Sequence, residues 1–327
     1  MEILKPFNTE VMTTAFPDSS ILSQNLSSMV GQTGEPLEIL SREPFPNSST
    51  FPVEIITCRQ KDGTVLTLFG KYLGGKGPNN FGHRGGVAYE ASVYTELLSR
   101  TDLPTTHCYG KCTFADTGET LLVLQYLGEN LLFSRSEDPQ SLSKASSWIG
   151  SFHAMHEGAA PAFLTVYTRD YYTGWAKRFT HLAGRYRSEY RWLDGLVEFF
   201  LARVDLLCNT PQTIIHGEYY PKNVLLKDGL IYPVDWESAA IAPGEIDFAS
   251  VTEGWDEEPT EAAKRAYMQA RWPSQNSSLR GFEARLLMAK IYWFLWWWPV
   301  KMRPESWTED SYRFNQALQL AKDAAVL

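Results

Sequence analysis

The sequence predicts an α+β chain in two parts: an N-terminal part built on an antiparallel sheet with one helix, and a larger, mainly helical C-terminal part. Three observations lead there. The chain has 327 residues, more than the usual ~100–200 of a single compact domain. Alternating, β-branched stretches crowd residues 37–127, with the period of two expected of half-buried strands. Beyond residue 128 the apolar spacing turns to three and four, the period of helices.

Residues 1–36 read as an N-terminal arm rich in Ser, Thr, Asn and Gln, with one short helix over Ser19–Met29. Leu37–Leu40 is a first strand. Phe51–Gln60 and Thr64–Leu73 are the arms of a hairpin joined at Lys61-Asp62-Gly63, a turn signal. A glycine-rich loop runs from Gly74 to Gly86. Ala88–Arg100 then reads as a helix, with Ala88, Val93 and Leu97 at helical spacing and Tyr94 and Leu98 beside them. His107–Asp116 and Glu119–Leu127 form another antiparallel pair, closing a unit over 37–127. In the remainder, 128–327, helices are expected over Asp138–Glu157, entered through Pro139, over Pro259–Met268, Arg280–Trp298 and Glu309–Ala325, and as a pair within Arg169–Leu207. Pro299 is expected to end the helix at Trp298.

Composition excludes several classes. Hydrophobic residues at 44% and charged ones at 21% are ordinary for a globular protein. With 30 basic against 38 acidic residues, the formal charge is −8, so no nucleic-acid partner is expected. Four cysteines are too few for a disulfide framework. Cys108 and Cys112 have no second pair to complete a four-ligand zinc site. The start of the chain lacks a basic stretch followed by an apolar core, and the most apolar run, Met288–Val300, is about 13 residues against the roughly 20 of a membrane span. A cytoplasmic protein that does not engage the membrane is the expectation.

Thr213–Ser250 breaks the helical pattern with short apolar runs punctuated by Gly, Pro, Asn and Asp. His216, Glu218, Asn223 and Asp235 sit between the runs Ile214-Ile215, Val224-Leu225-Leu226 and Ile231–Val234. Polar groups so embedded need partners, and a ligand or metal ion is a natural one. Asn and Asp oxygens suit Mg²⁺, which keeps several waters and binds phosphates as well. A carboxylate five residues before the Asn is placed to accept a proton from an attacking hydroxyl.

This segment resembles the catalytic segment of the aminoglycoside phosphotransferase and choline kinase family, whose fold is bilobal and protein-kinase-like. The family pattern is His-Gly-Asp, four residues, then Asn, with a metal-binding Asp about a dozen residues on. Here it reads His216-Gly217-Glu218-Tyr219-Tyr220-Pro221-Lys222-Asn223 and Val234-Asp235-Trp236-Glu237, followed by Asp247 in Gly244-Glu245-Ile246-Asp247. The resemblance implies Glu218 as catalytic carboxylate, His216 beside it as the residue that orients the loop, Asn223 and Asp235 as metal ligands, and Asp247 as a loop brace. It implies that Lys71, at the end of the second hairpin arm, holds nucleotide phosphates and pairs with Glu90, with Glu96 as the competing choice. It implies that Ser48, Ser49 and Thr50 cover the phosphates, and that Gln125, Tyr126 and Leu127 offer backbone groups to adenine. The implied cofactors are ATP, or GTP, with Mg²⁺. The implied reaction is transfer of the γ-phosphate to a hydroxyl of a small molecule that is aminoglycoside-, sugar- or choline-like.

The departure is Glu218, where the family has Asp. The side chain is one methylene longer. Either Glu218 is still the base in an adapted pocket, or the chain is a nucleotide-binding pseudokinase or regulatory module, or its transfer chemistry is altered. On the first reading Glu218→Asp keeps or raises activity and Glu218→Ala loses it. A protein-kinase role is disfavoured, because no Ala-Pro-Glu segment follows and Trp236-Glu237 stands where protein kinases have Phe-Gly. Other features have blander readings. His153 and His156 read as structural, and Gly74-Gly75-Lys76-Gly77 as a flexible connection. Trp293, Trp296 and Trp297 share a helix face; they either pack the helix or, for Trp293 and Trp297, wall an acceptor pocket suited to a flat or cationic group. Asp256, Glu257 and Glu258 either attract a cationic acceptor or belong to a solvated loop.

Overall fold

Alternation of side chains builds the first half of the chain around one strand. In the computed structural model β3 spans Val65–Tyr72, and Leu68, Gly70 and Tyr72 turn toward one face of the sheet while Lys71 turns toward the other. The structure describes residues 16–30, 36–45, 51–73, 83–115, 118–128, 133, 138–274, 281–301, 307–308 and 311–327. The chain divides into two units, Met1–Arg100 with Thr106–Leu127, and Thr101–Thr105 with Gly128–Leu327.

The first unit contains α1 (Ser19–Met29), β1 (Glu38–Pro44), β2 (Val53–Arg59), β3, α2 (Val87–Glu96), β4 (Cys108–Thr113) and β5 (Thr120–Gln125). The strands form one antiparallel sheet in the order β1-β2-β3-β5-β4. The hairpin turn forms as its residues require: Gly63 takes φ +87°, and the Asp62 carboxylate accepts the Thr64 N–H at 2.9 Å. Leu22 and Leu26 of α1 are fully buried against Ile56, Leu68, Leu121 and Val123, worth about 1.5–3 kcal/mol each. Beneath them Glu54 accepts two bonds from the Arg42 guanidinium, at 2.8 and 2.9 Å, and one from the Tyr72 hydroxyl. β1 runs past the expected Leu40 to Pro44, which an edge strand tolerates because one side of it needs no N–H donor. In α2 the buried residues are Val87, Glu90, Ala91, Val93 and Tyr94, whereas Ala88, expected on that face, is exposed.

The second unit begins with α3 (Ser141–Met155), β6 (Thr165–Val166), α4 (Arg169–Leu182), α5 (Gly184–Glu189), α6 (Trp192–Arg203) and α7 (Asp205–Cys208). Four helical segments thus replace the two expected over Arg169–Leu207, because Ala183 caps α4, Tyr190 leaves helical geometry at ψ 83° and Val204 separates α6 from α7. Next come β7 (Thr213–Ile215), β8 (Val224–Lys227), β9 (Leu230–Pro233), β10 (Ala240–Ala242), α8 (Glu245–Val251), α9 (Glu257–Arg271), α10 (Phe282–Lys301) and α11 (Tyr312–Asp323). β10 lies between β6 and β7, and β8–β9 is a separate hairpin. Gly150 lets α3 approach α9 closely, since a Cβ there would lie 2.7 Å from the Tyr267 carbonyl.

α10 is apolar on all sides and correspondingly buried. Trp296 is fully buried, stacks on Trp293 at 4.8 Å and meets Trp175 edge-on at 6.2 Å. The helix runs through Pro299 to Lys301, so the expected stop at Trp298 is corrected. A proline there deprives one carbonyl of its donor, and a 20-residue helix packed along most of its length outweighs that single loss. Among the described residues no helix is long and apolar enough to cross a membrane.

Candidate active site

In the first unit the buried Lys71 Nζ lies 2.6 Å from Glu90 Oε2, from the first turn of α2. Glu96, the competing choice, is exposed. The ammonium also sits over the Phe51 ring, 5.2 Å from its centroid. Burying both charges is expensive and adds little to stability compared with apolar packing. It does hold one cation at a set position at the end of β3. Ser48, Ser49 and Thr50 lie outside the described residues, as does Gly74-Gly75-Lys76-Gly77. The Gln125 N–H donates to the His107 carbonyl at 2.8 Å and the Tyr126 N–H to that of Thr67 at 3.2 Å. Both donors are engaged by backbone carbonyls of neighbouring segments. Leu127 is buried.

In the second unit the segment from His216 to Asp235 is held by a buried network. Asp247, on α8, accepts the N–H of His216 at 2.7 Å and of Gly217 at 2.9 Å, one on each carboxylate oxygen. His153 of α3 stands 3.1 Å from Asp247 Oδ2 through Nε2 and 3.1 Å from the Tyr267 hydroxyl through Nδ1. The carboxylate only accepts, so His153 donates from Nε2 and accepts from Tyr267 at Nδ1. Burial pushes this imidazole down to about 4, so it is neutral near pH 7. Gly217 takes φ +83°, and a Cβ there would lie 2.2 Å from the Ser238 carbonyl; only glycine fits.

His216 is itself fully buried. Desolvation holds its imidazole below the usual range even with Asp247, Asp235 and Glu218 nearby. Its Nε2–H donates to the Val234 carbonyl at 3.0 Å, and Nδ1 accepts the Glu218 N–H at 3.4 Å. A group engaged at both nitrogens orients the loop.

Glu218 is only 2% exposed. Its Oε2 accepts the Tyr220 hydroxyl at 2.7 Å and its Oε1 accepts the Ser238 hydroxyl at 3.1 Å. Neither donor was legible in the sequence: Tyr220 is two residues away, and Ser238 comes from the turn after Asp235. Asn223 is buried and donates its amide to the Glu218 carbonyl at 3.1 Å. Hairpin β8–β9 pairs Val224 with Pro233, and Val234 N–H donates to the Asn223 carbonyl at 2.9 Å. Asn223 and Asp235 therefore flank the same open end of the hairpin. Asp235 takes the left-handed conformation, φ 68° and ψ 58°, which Asp tolerates better than most residues but still at a cost.

The oxygen donors at this hairpin end, an amide and a carboxylate, fit Mg²⁺. Among the described residues no group of three His, Cys, Asp or Glu is arranged to hold a metal ion, and Mg²⁺ characteristically takes one or two protein carboxylates, waters and phosphate oxygens. Cys108 and Cys112 lie along one strand, and burial raises both thiols, Cys112 to about 11, so neither is a thiolate.

The remaining candidates divide. Trp293 is 5% exposed and donates Nε1–H to Glu253 at 3.0 Å, with its ring 5.9 Å from that of Tyr220. Trp297 is half-buried, and the Arg313 guanidinium lies 4.1 Å from its ring centroid and pairs with Glu253. The protein's own cation thus takes the position on Trp297 that a cationic acceptor would use. Asp256, Glu257 and Glu258 are exposed and start α9, Asp256 as its cap residue, so they form a helix end rather than a loop. Negative charge is favourable there without any ligand.

The model of the phosphotransferase enzyme family (APH) matches residues 96–279, more than half of the chain. Solved structures agree in fold. Choline kinase LicA from Streptococcus pneumoniae shares 16% identity, with 94% of this chain and 98% of that one covered and a TM-score of 0.57. Macrolide 2'-phosphotransferase MphH from Brachybacterium faecium shares 17%, with 95% and 98% covered and a TM-score of 0.55. The GDP complex of wild-type aminoglycoside 2'-phosphotransferase-IIIa shares 11%, with 94% and 98% covered and a TM-score of 0.59. No curated protein matches the chain in sequence. The antiparallel sheet with its lysine–glutamate pair, the helical unit and the family match agree: this chain belongs to the phosphotransferase enzyme family.

Proposed function

We propose that the protein transfers the γ-phosphate of ATP, or GTP, to a hydroxyl of a small molecule. The observation that carries this reading is the buried carboxylate of Glu218, held beside Asn223 in a loop that Asp247 and Gly217 brace, with Asp235 at the same hairpin end. Lys71, kept in place by Glu90, orients the phosphates. Asn223 and Asp235 hold Mg²⁺, which when bound neutralises charge on the phosphoryl group. Glu218 takes the proton as the acceptor oxygen bonds to the γ-phosphorus and the bond to the leaving nucleoside diphosphate breaks. Acceptors of the aminoglycoside, sugar and choline types remain the classes to test. The occupation of Trp297 by Arg313 weighs against a cationic group on that ring.

The test is an ADP-release screen over hydroxylated metabolites and antibiotics, with Asp235→Ala as control and mass spectrometry of the products. Gain of one phosphate by a small molecule, lost in Asp235→Ala with the fold intact, supports the reading; undiminished turnover in Asp235→Ala refutes the metal site. One observation favours a second reading, a nucleotide-binding module that transfers nothing: both Glu218 oxygens are already bonded within the protein. That reading predicts thermal stabilisation by Mg·ATP with no ADP formed on any acceptor.

A further inference from the structure

The pair of hydroxyls on Glu218 answers the question raised by its extra methylene. A glutamate at an aspartate's position has one more rotatable bond, and a misplacement of about an ångström can cost roughly 10²-fold in rate. Here that freedom is removed. Tyr220 reaches Oε2 from two residues along the loop, and Ser238 reaches Oε1 from the turn that follows Asp235. Tyr220 is itself fixed: its ring lies 5.9 Å from that of Trp293, and the Lys222 ammonium sits 4.9 Å from its centroid. Trp293 is anchored in turn by its bond to Glu253. A chain of contacts thus runs from α10 to the carboxylate.

We propose that Tyr220 and Ser238 are positioning residues that hold the longer Glu218 carboxylate where the acceptor hydroxyl loses its proton. The inference rests on the phosphotransfer reading above. It assigns the two hydroxyls no proton transfer of their own. A carboxylate oxygen can accept more than one hydrogen bond, so a hydroxyl that holds it in place does not by itself stop it accepting a proton. The arrangement also explains why Ser238 belongs to the site: it ties Glu218 to the turn beside Asp235, so the base and the metal-side carboxylate keep a common frame.

The experiment is a double-mutant cycle on Mg·ATP-dependent ADP release, with water or a hit of the acceptor screen taking the phosphoryl group. Tyr220→Phe keeps the ring and its packing and removes only the hydroxyl. It is expected to lower kcat about 10-fold with the KM for Mg·ATP within about twofold, and Ser238→Ala to do the same. In a Glu218→Asp background, where the carboxylate is too short to reach both donors, Tyr220→Phe is expected to change kcat by less than about twofold. Full kcat in Tyr220→Phe, or an equal loss in both backgrounds, overturns the inference. If the wild type releases no ADP, it is the phosphotransfer reading that fails, and positioning is then read by infrared difference spectroscopy. The Glu218 carboxylate band, identified by its loss in Glu218→Gln, shifts in Tyr220→Phe if the hydroxyl holds it; an unchanged band overturns the inference independently of catalysis.

Discussion

Asp247 Oδ2 accepts the backbone N–H of His216 at 2.7 Å, across 31 positions of sequence, and so ties α8 to the start of the candidate catalytic loop. The other oxygen takes Gly217 N–H, and His153 completes the set. The carboxylate is fully buried, so the N–H donors that face it have no water to replace a lost acceptor. Asp247→Asn turns one acceptor into a donor facing an N–H. The expected loss is about 2–4 kcal/mol of stability, read from urea unfolding midpoints, with ADP release falling alongside. A variant as stable as wild type would remove Asp247 from its bracing role.

His153 makes stability depend on pH. In the folded chain its imidazole stays neutral down to about 4, whereas an unfolded histidine takes up a proton near 6.5. Between these values the unfolded state binds the extra proton, so stability is full above about 6.5 and falls as pH drops toward 4. The slope is roughly 1.4 kcal/mol per pH unit, about 3 kcal/mol in total. His216, shifted in the same direction by burial, adds to the fall. Urea midpoints measured between pH 7.5 and 5 should drop more steeply for wild type than for His153→Gln; parallel curves would count against a neutral His153.

Variants of the Lys71–Glu90 pair can separate a contribution to folding from the proposed role in nucleotide binding. Lys71→Met removes the cation paired with the buried Glu90 carboxylate and is expected to destabilise the protein by about 3–5 kcal/mol. Adding Glu90→Gln removes the negative charge as well and should restore much of the stability. Mg·ATP affinity, measured by calorimetry, should stay lost in the double variant. Recovery of affinity together with stability would show that Lys71 is structural.

Glu218→Asp changes sign between sequence and structure. From the sequence alone the shorter residue is expected to keep or raise activity, because the family carries Asp. With Oε2 and Oε1 held by Tyr220 and Ser238, an aspartate loses at least one of these bonds and withdraws by a methylene. We now expect kcat to fall about 10-fold or more, with little change in unfolding midpoint. Activity at or above the wild-type level would return the argument to the sequence-based expectation.

Much of the architecture was legible because it is written in local periodicity and turn chemistry. The α1 helix over Ser19–Met29, the hairpin across Lys61-Asp62-Gly63 and the strand that carries Lys71 near its end follow from neighbours in the chain. The limits of that reading are visible at Pro299, where local preference predicted a helix stop at Trp298 and α10 runs three residues further, to Lys301. They are visible again at Ala88, which is exposed on the same face of α2 as Thr95, while Val87 and Glu90 of its own turn are buried.

The sequence by itself determined which residue types stand at the candidate site and at what spacing: Lys71, Glu90, His216, Glu218, Asn223, Asp235 and Asp247 were all singled out there. Only the tertiary structure decided what each one touches. That His153, Tyr267 and Asp247 form one buried network, that Arg313 covers Trp297, and that Ser238 holds one oxygen of Glu218 depend on separate elements of the chain, and that Tyr220 holds the other depends on how the loop folds back. The physical reason is range. Propensity and pattern act over a few residues, whereas a hydrogen bond forms only where folding brings donor and acceptor to about 3 Å, and no spacing in the sequence states that distance.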